Sequence, residues 1–131
     1  MTLKFVIPGQ AVSKQRPRSR TIIREKDGNL EKKTWHYTPE RTREFTEKAR
    51  IIAQNACQTQ GFEMIPYPNP VSVTLTFFVA RKPTARPDIG GLCNALLDVL
   101  SGIAYEDDSQ VVKLVSRKIK ADEPATWVEV L

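Results

Sequence analysis

Between Val71 and Val79 every second residue is large and apolar. Val71, Val73, Leu75, Phe77 and Val79 alternate with Ser72, Thr74 and Thr76. Successive side chains of a strand point to opposite faces, so this spacing specifies a β-strand with one wholly apolar face. Such a strand needs a core packed against it. The chain has 131 residues, which suits one domain with one core. We therefore expect this strand to be central in a sheet and residues 1–131 to form a single domain.

The remaining elements follow from spacing. Leu3, Phe5 and Ile7 alternate with Lys4 and Val6 and stop at Pro8-Gly9, a second half-buried strand. Lys26-Asp27-Gly28-Asn29 lies between two short β-rich runs, Thr21–Arg24 and Lys33–Tyr37, and signals a hairpin. Thr38 and Pro39 suit the start of a helix whose apolar face is Phe45, Ala49, Ile52 and Ala56. Leu92, Leu96, Val99 and Ile103 share one face of a second helix, with Asp88 as its N-cap. Val111–Ile119 and Thr126–Leu131 read as strands, expected to close as a pair around Asp122-Glu123-Pro124. The fold class is α/β (α+β): a small mixed β-sheet with two main helices. A core this thin gains from a homodimer.

Charge narrows the partner. The formal net charge is +5, and the first fifty residues hold 13 of the 20 Lys and Arg. Lys14, Arg16, Arg18 and Arg20 occupy alternate positions, so an extended segment would aim them as one cationic row. Arg81, Lys82 and Arg86 lie just before Asp88. This asymmetry points to a polyanion gripped by its phosphates. No run of eighteen apolar residues exists, so no membrane span is expected, and the start is too short and alternating for a signal peptide. Cys57 and Cys93 show no paired spacing, which fits a reducing cytoplasm and argues against structural zinc. The single histidine, His36, reads as a structural strand residue.

Two acidic clusters flank the second helix: Asp88 before it, and Glu106, Asp107 and Asp108 after it. Gathered carboxylates suit Mg²⁺, which takes oxygen ligands and keeps several waters. A metal site in a cationic protein is what phosphodiester hydrolysis requires. Each cluster alone also reads as a helix cap or a turn. A helix of about fourteen residues spans about 20 Å, so the clusters meet only if the chain folds back after Gly102.

Taken together, Pro87-Asp88-Ile89, Leu92, Asp98 and the run from Gly102 to Val112 resemble the RusA family of Holliday-junction resolvases. Gly9–Arg18 and Tyr37–Phe45 resemble its bacterial and phage members. The resemblance implies a homodimeric α/β endodeoxyribonuclease that cuts four-way DNA junctions in recombination and repair. It implies Mg²⁺, or Mn²⁺ in its place, held by Asp88, Asp108 and Asp107, with Lys14, Arg16, Arg18, Arg81, Lys82 and Arg86 on the branched DNA. Two positions depart from the family pattern Asp-x-Asp-Asn-Leu-x-Lys. Gly90 stands where a second metal-binding aspartate belongs, and Asn94 where the catalytic lysine belongs. The expectation is junction binding with cleavage weakened or lost. The alternatives are an inactive family member that binds branched DNA, and a metal-dependent nuclease acting on flaps or RNA.

Overall fold

The computed structural model describes residues 1–13, 18–26, 28–37, 40–82 and 87–131; along 18–22, 24–26, 29 and 31–37 the description is of the backbone. The elements are β1 (Leu3–Pro8), β2 (Arg18–Lys26), β3 (Asn29–Tyr37), α1 (Glu40–Gln60), β4 (Val71–Ala80), α2 (Ile89–Leu100), β5 (Val111–Ala121) and β6 (Ala125–Val130). One turn of 3₁₀ helix, Asp108–Gln110, leads into β5.

The main sheet has the order β1-β6-β4-β5. β6 runs antiparallel to both β1 and β4, while β4 and β5 are parallel. The sheet is mixed and carries two helices, as the alternation and helical spacing require. β4 is an inner strand, also as expected. β2 and β3 form a separate two-stranded ladder that closes at Lys26 and Asn29, and Gly28 there has φ +78°.

The expected pairing of the last two strands with each other is corrected: β4 lies between them. The reason is connectivity and burial. β4 reaches β5 through α2, the crossover that a parallel pair demands. β6 buries Thr126, Val128 and Val130 and fits an interior position, whereas β5 is mostly exposed and fits the edge.

The core lies between one face of the sheet and the two helices. β1 contributes Leu3 and Ile7, β4 contributes Val73, Leu75 and Phe77, and β6 contributes Val130. Phe45, Ala49 and Ala53 cover them from α1; Leu92, Leu96, Val99 and Leu100 do so from α2. Each large buried side chain contributes about 1.5–3 kcal/mol. α1 packs on β1 and α2, and α2 reaches β5. Among the described residues no helix covers the opposite face of the sheet, where Trp127 is half exposed and tilts against Phe78 at 5.5 Å. Among the described residues no helix is long and apolar enough to cross a membrane.

Candidate functional site

Asp88 begins α2. Its backbone is extended, its side chain accepts a hydrogen bond from the Gly91 N–H at 3.0 Å, and its carbonyl accepts from the Leu92 N–H. The cap satisfies a donor that the helix cannot, and places a carboxylate at the positive end of the helix dipole. Gly90 and Gly91 crowd this carboxylate. A Cβ at position 90 would lie 3.3 Å from Asp88 Oδ2; one at position 91 would lie 2.9 Å from the Ser13 Cβ. Asn94, one turn beyond Gly90, is exposed.

α2 has 12 residues, fewer than its apolar spacing suggested, and at 1.5 Å per residue it is about 18 Å long. It stops at Leu100, where the Ser101 N–H returns to the Leu97 carbonyl and Gly102 takes φ +82°. That left-handed residue turns the chain back, a condition on which the clusters could meet. The return is about one turn deep. The buried Tyr105 donates its hydroxyl to the Leu97 carbonyl at 2.9 Å. Burial holds the Tyr105 hydroxyl well above its ordinary range, and the charges of Asp108, Asp98 and Asp107 add to this. The fold-back therefore carries Asp107 and Asp108 toward the Asp98 end of α2, away from Asp88.

Asp107 caps the 3₁₀ turn. It accepts from the Ser109 N–H at 3.3 Å and from the Ser109 hydroxyl, and Gln110 Oε1 accepts from the Asp107 N–H at 2.9 Å. The Ser109 hydroxyl, then the Ser109 N–H, hold the Asp107 carboxyl below its usual range. Asp108 is exposed beside it. Glu106 turns elsewhere and accepts from the Tyr67 N–H at 3.2 Å.

The cations divide between described and undescribed positions. Arg81 Nε donates to Asp122 Oδ1 at 2.9 Å on the surface, and Lys82 is exposed. Lys14, Arg16 and Arg86 lie outside the described residues, and Arg18 is described in backbone only, as the first residue of β2. Three residues were missed by sequence reasoning. Gln110 is buried and donates from Nε2 to the carbonyls of Ile65, Pro66 and Asn69 at 3.2, 3.1 and 3.0 Å, fixing the acidic turn to the loop before β4. Tyr105 ties the same turn to α2. Lys118 Nζ donates to the Pro87 carbonyl at 3.0 Å, next to Asp88. The sequence offered one signal for the last: Lys118 and Lys120 alternate along a strand.

The donors are the hard oxygens that Mg²⁺ prefers. Their placement in one chain is another matter. Among the described residues, no three Asp, Glu, His or Cys side chains converge on a point that would hold a metal. Asp88 stands at one end of α2, and Asp107 and Asp108 at the other.

Comparison with known proteins adds a family. The profile described as "Endodeoxyribonuclease RusA" matches residues 8–131, both acidic ends of α2 included. A Bacillus subtilis protein named "Uncharacterized protein YqaN" is 27% identical over 141 residues, covering 96% of this chain and 93% of that protein.

Proposed function

The chain belongs to the RusA endodeoxyribonuclease family, and from that premise we propose that it binds four-way DNA junctions as a two-fold homodimer. We read it as a Mg²⁺- or Mn²⁺-dependent nuclease of recombination and repair whose cleavage is weak. The observation that carries this reading is the family match, which spans every described carboxylate and cation of the candidate site. Two free cysteines, Cys93 buried and Cys57 partly so, suit work in a reducing cytoplasm.

The separation of the carboxylates supports the dimer. β5 is one of the two outer strands of the sheet, and Val112, Leu114, Val115 and Ile119 are exposed along it. An exposed apolar edge is a template for another strand. Antiparallel self-pairing along β5 would set the start of one strand beside the end of the other. Asp107 and Asp108 precede the start of β5, and Lys118 ties its far end to Pro87, next to Asp88. A two-fold axis through β5 would thus bring Asp88 of one protomer toward the 107–108 turn of the other. Two such sites related by symmetry are what paired cuts on a junction require.

Gly90 and Asn94 support weak cleavage. Neither carries charge, and losing one electrostatic group that steadies a transition state costs on the order of 10²–10³ in rate. The same two residues favour a second reading, an inactive member that binds branched DNA. One titration separates them. A labelled synthetic four-way junction is bound in EDTA, then incubated with Mg²⁺ or Mn²⁺, beside a variant carrying Gly90→Asp and Asn94→Lys. Binding by both forms with slow native cutting supports the first reading. Cutting by the variant alone supports the second, and absence of binding by either form overturns both.

A further inference from the structure

We propose that Lys118 forms a phosphate-binding site beside Asp88, holding a DNA backbone phosphate at the start of α2. The inference rests on the branched-DNA reading and adds a contact from a strand that the cationic arm and loop do not include. β5 is parallel to β4, with Phe77 opposite Lys118 and Val79 opposite Lys120. Residues opposite one another share a face, so both lysines rise on the side of the sheet that carries α2. At the edge of the sheet both remain exposed.

Their heads reach the segment that joins β4 to α2 at its two ends. Lys120 Nζ donates to the Ala80 carbonyl at 3.3 Å, and Lys118 Nζ donates to the Pro87 carbonyl at 3.0 Å. An ammonium has three donors, and the Pro87 carbonyl takes one of them. Arg81 is paired with Asp122 here, and Lys82 is exposed. Among the described residues, four cations (Arg81, Lys82, Lys118, Lys120) stand at this end of the sheet with three carboxylates, Asp88, Asp122 and Glu123. The excess at this end of the sheet is positive and favours an anion. Position 94 is an uncharged asparagine, and among the described residues Lys118 brings a cation to the Asp88 end of α2 from the neighbouring strand.

A loop staple would give the same contact with Pro87, and charge distinguishes the two roles. Lys118→Gln keeps a donor and loses the charge, while Lys118→Arg keeps both. Equilibrium binding of the full chain to a four-way junction is measured in EDTA across a salt series, with Lys4→Gln, on β1, as the control. Each neutralised phosphate contributes about 0.9 to the slope of log affinity against log salt. With one Lys118 from each protomer of the dimer on the junction, we expect Lys118→Gln to lower that slope by about 1.8 and weaken binding at low salt, with Lys118→Arg and Lys4→Gln unchanged. Thermal melting identifies folded variants, and Lys118→Met, which keeps most of the aliphatic stem, repeats the measurement if the glutamine form does not fold. An unchanged slope in the folded, uncharged variants overturns the phosphate site and leaves junction binding standing. Failure of the native chain to bind the junction removes the reading beneath it and the proposal together.

Discussion

Gly90 sits against Asp88: a Cβ at position 90 would lie 3.3 Å from the Asp88 Oδ2. A carboxylate introduced at position 90 would therefore begin beside the one that caps α2. The neighbour it crowds is the far end of a side chain, which moves cheaply. We expect Gly90→Asp to fold and to bind Mn²⁺ about tenfold more tightly than the native chain, because affinity for hard cations rises with ligand charge. Calorimetric titration with Mn²⁺ checks this. Equal affinity in both forms would show that position 90 does not face the ion.

Position 91 should behave differently. A Cβ there meets the Ser13 Cβ at 2.9 Å, too close for two carbons, and Ser13 Cβ is fixed to its backbone. Gly91→Ala must push the segment at Ser13 away from the helix start. We expect a loss of about 1–3 kcal/mol despite the better helix propensity of alanine. Urea unfolding of Gly90→Ala and Gly91→Ala side by side reads the contrast.

Gln110 is the polar anchor of the acidic turn. Its amide meets three carbonyls and its Oε1 meets the Asp107 N–H. Gln110→Leu preserves bulk and abandons all four partners. Unsatisfied buried groups cost about 1–3 kcal/mol each, and water can reach part of this loop, so we expect about 2–4 kcal/mol in total. Denaturant unfolding measures it. A loss under 0.5 kcal/mol would mean that the loop before β4 holds itself.

Much of this was legible because it is local. The alternation of β4 and the cap at Asp88 need only the pleat and the first turn of a helix, and both are where the sequence puts them. The order of β5 and β6 was not legible, because alternation says which face is buried and not which strand lies alongside. Gln110 reads as one polar residue among charged ones; its burial follows from a loop some forty residues earlier. Lys118 is likewise one of several strand lysines until the parallel crossover brings it to Pro87. The placement of Asp107 and Asp108 relative to Asp88 depended on how far the chain returns after Gly102. The Tyr105–Leu97 hydrogen bond shows that it returns about one turn.

Tyr105 also predicts an alkaline signature. Its folded pKa is raised by burial and by Asp108, Asp98 and Asp107. A raised pKa means that the native state keeps its proton after the unfolded chain has released one. Stability from this group is thus full below the ordinary tyrosine value of about 10 and falls as pH rises above it. Tyr105→Phe should lose about 1 kcal/mol at pH 7, from the missing hydrogen bond to Leu97, or about 3–5 °C in Tm. It should also flatten the decline of Tm above pH 10. An unchanged slope there would assign the decline to other groups.

The proposed sharing of carboxylates between two chains makes the sharpest prediction. If each site takes Asp88 from one protomer and Asp107–Asp108 from the other, Asp88→Asn and the double variant Asp107→Asn/Asp108→Asn are each defective alone. A heterodimer of the two contains one site in which both halves are altered and one in which both are intact. Mixing the variants should therefore restore Mn²⁺ binding to one ion per heterodimer, and with it whatever junction cutting the native chain has. A site built within one chain would stay broken in every mixture. Leu114→Lys gives the companion test, because replacing an exposed apolar residue of this edge strand by one more charge should split the dimer, read by sedimentation, and abolish the rescue. Rescue that survives in a Leu114→Lys protein that stays dimeric would place the shared site elsewhere than along β5.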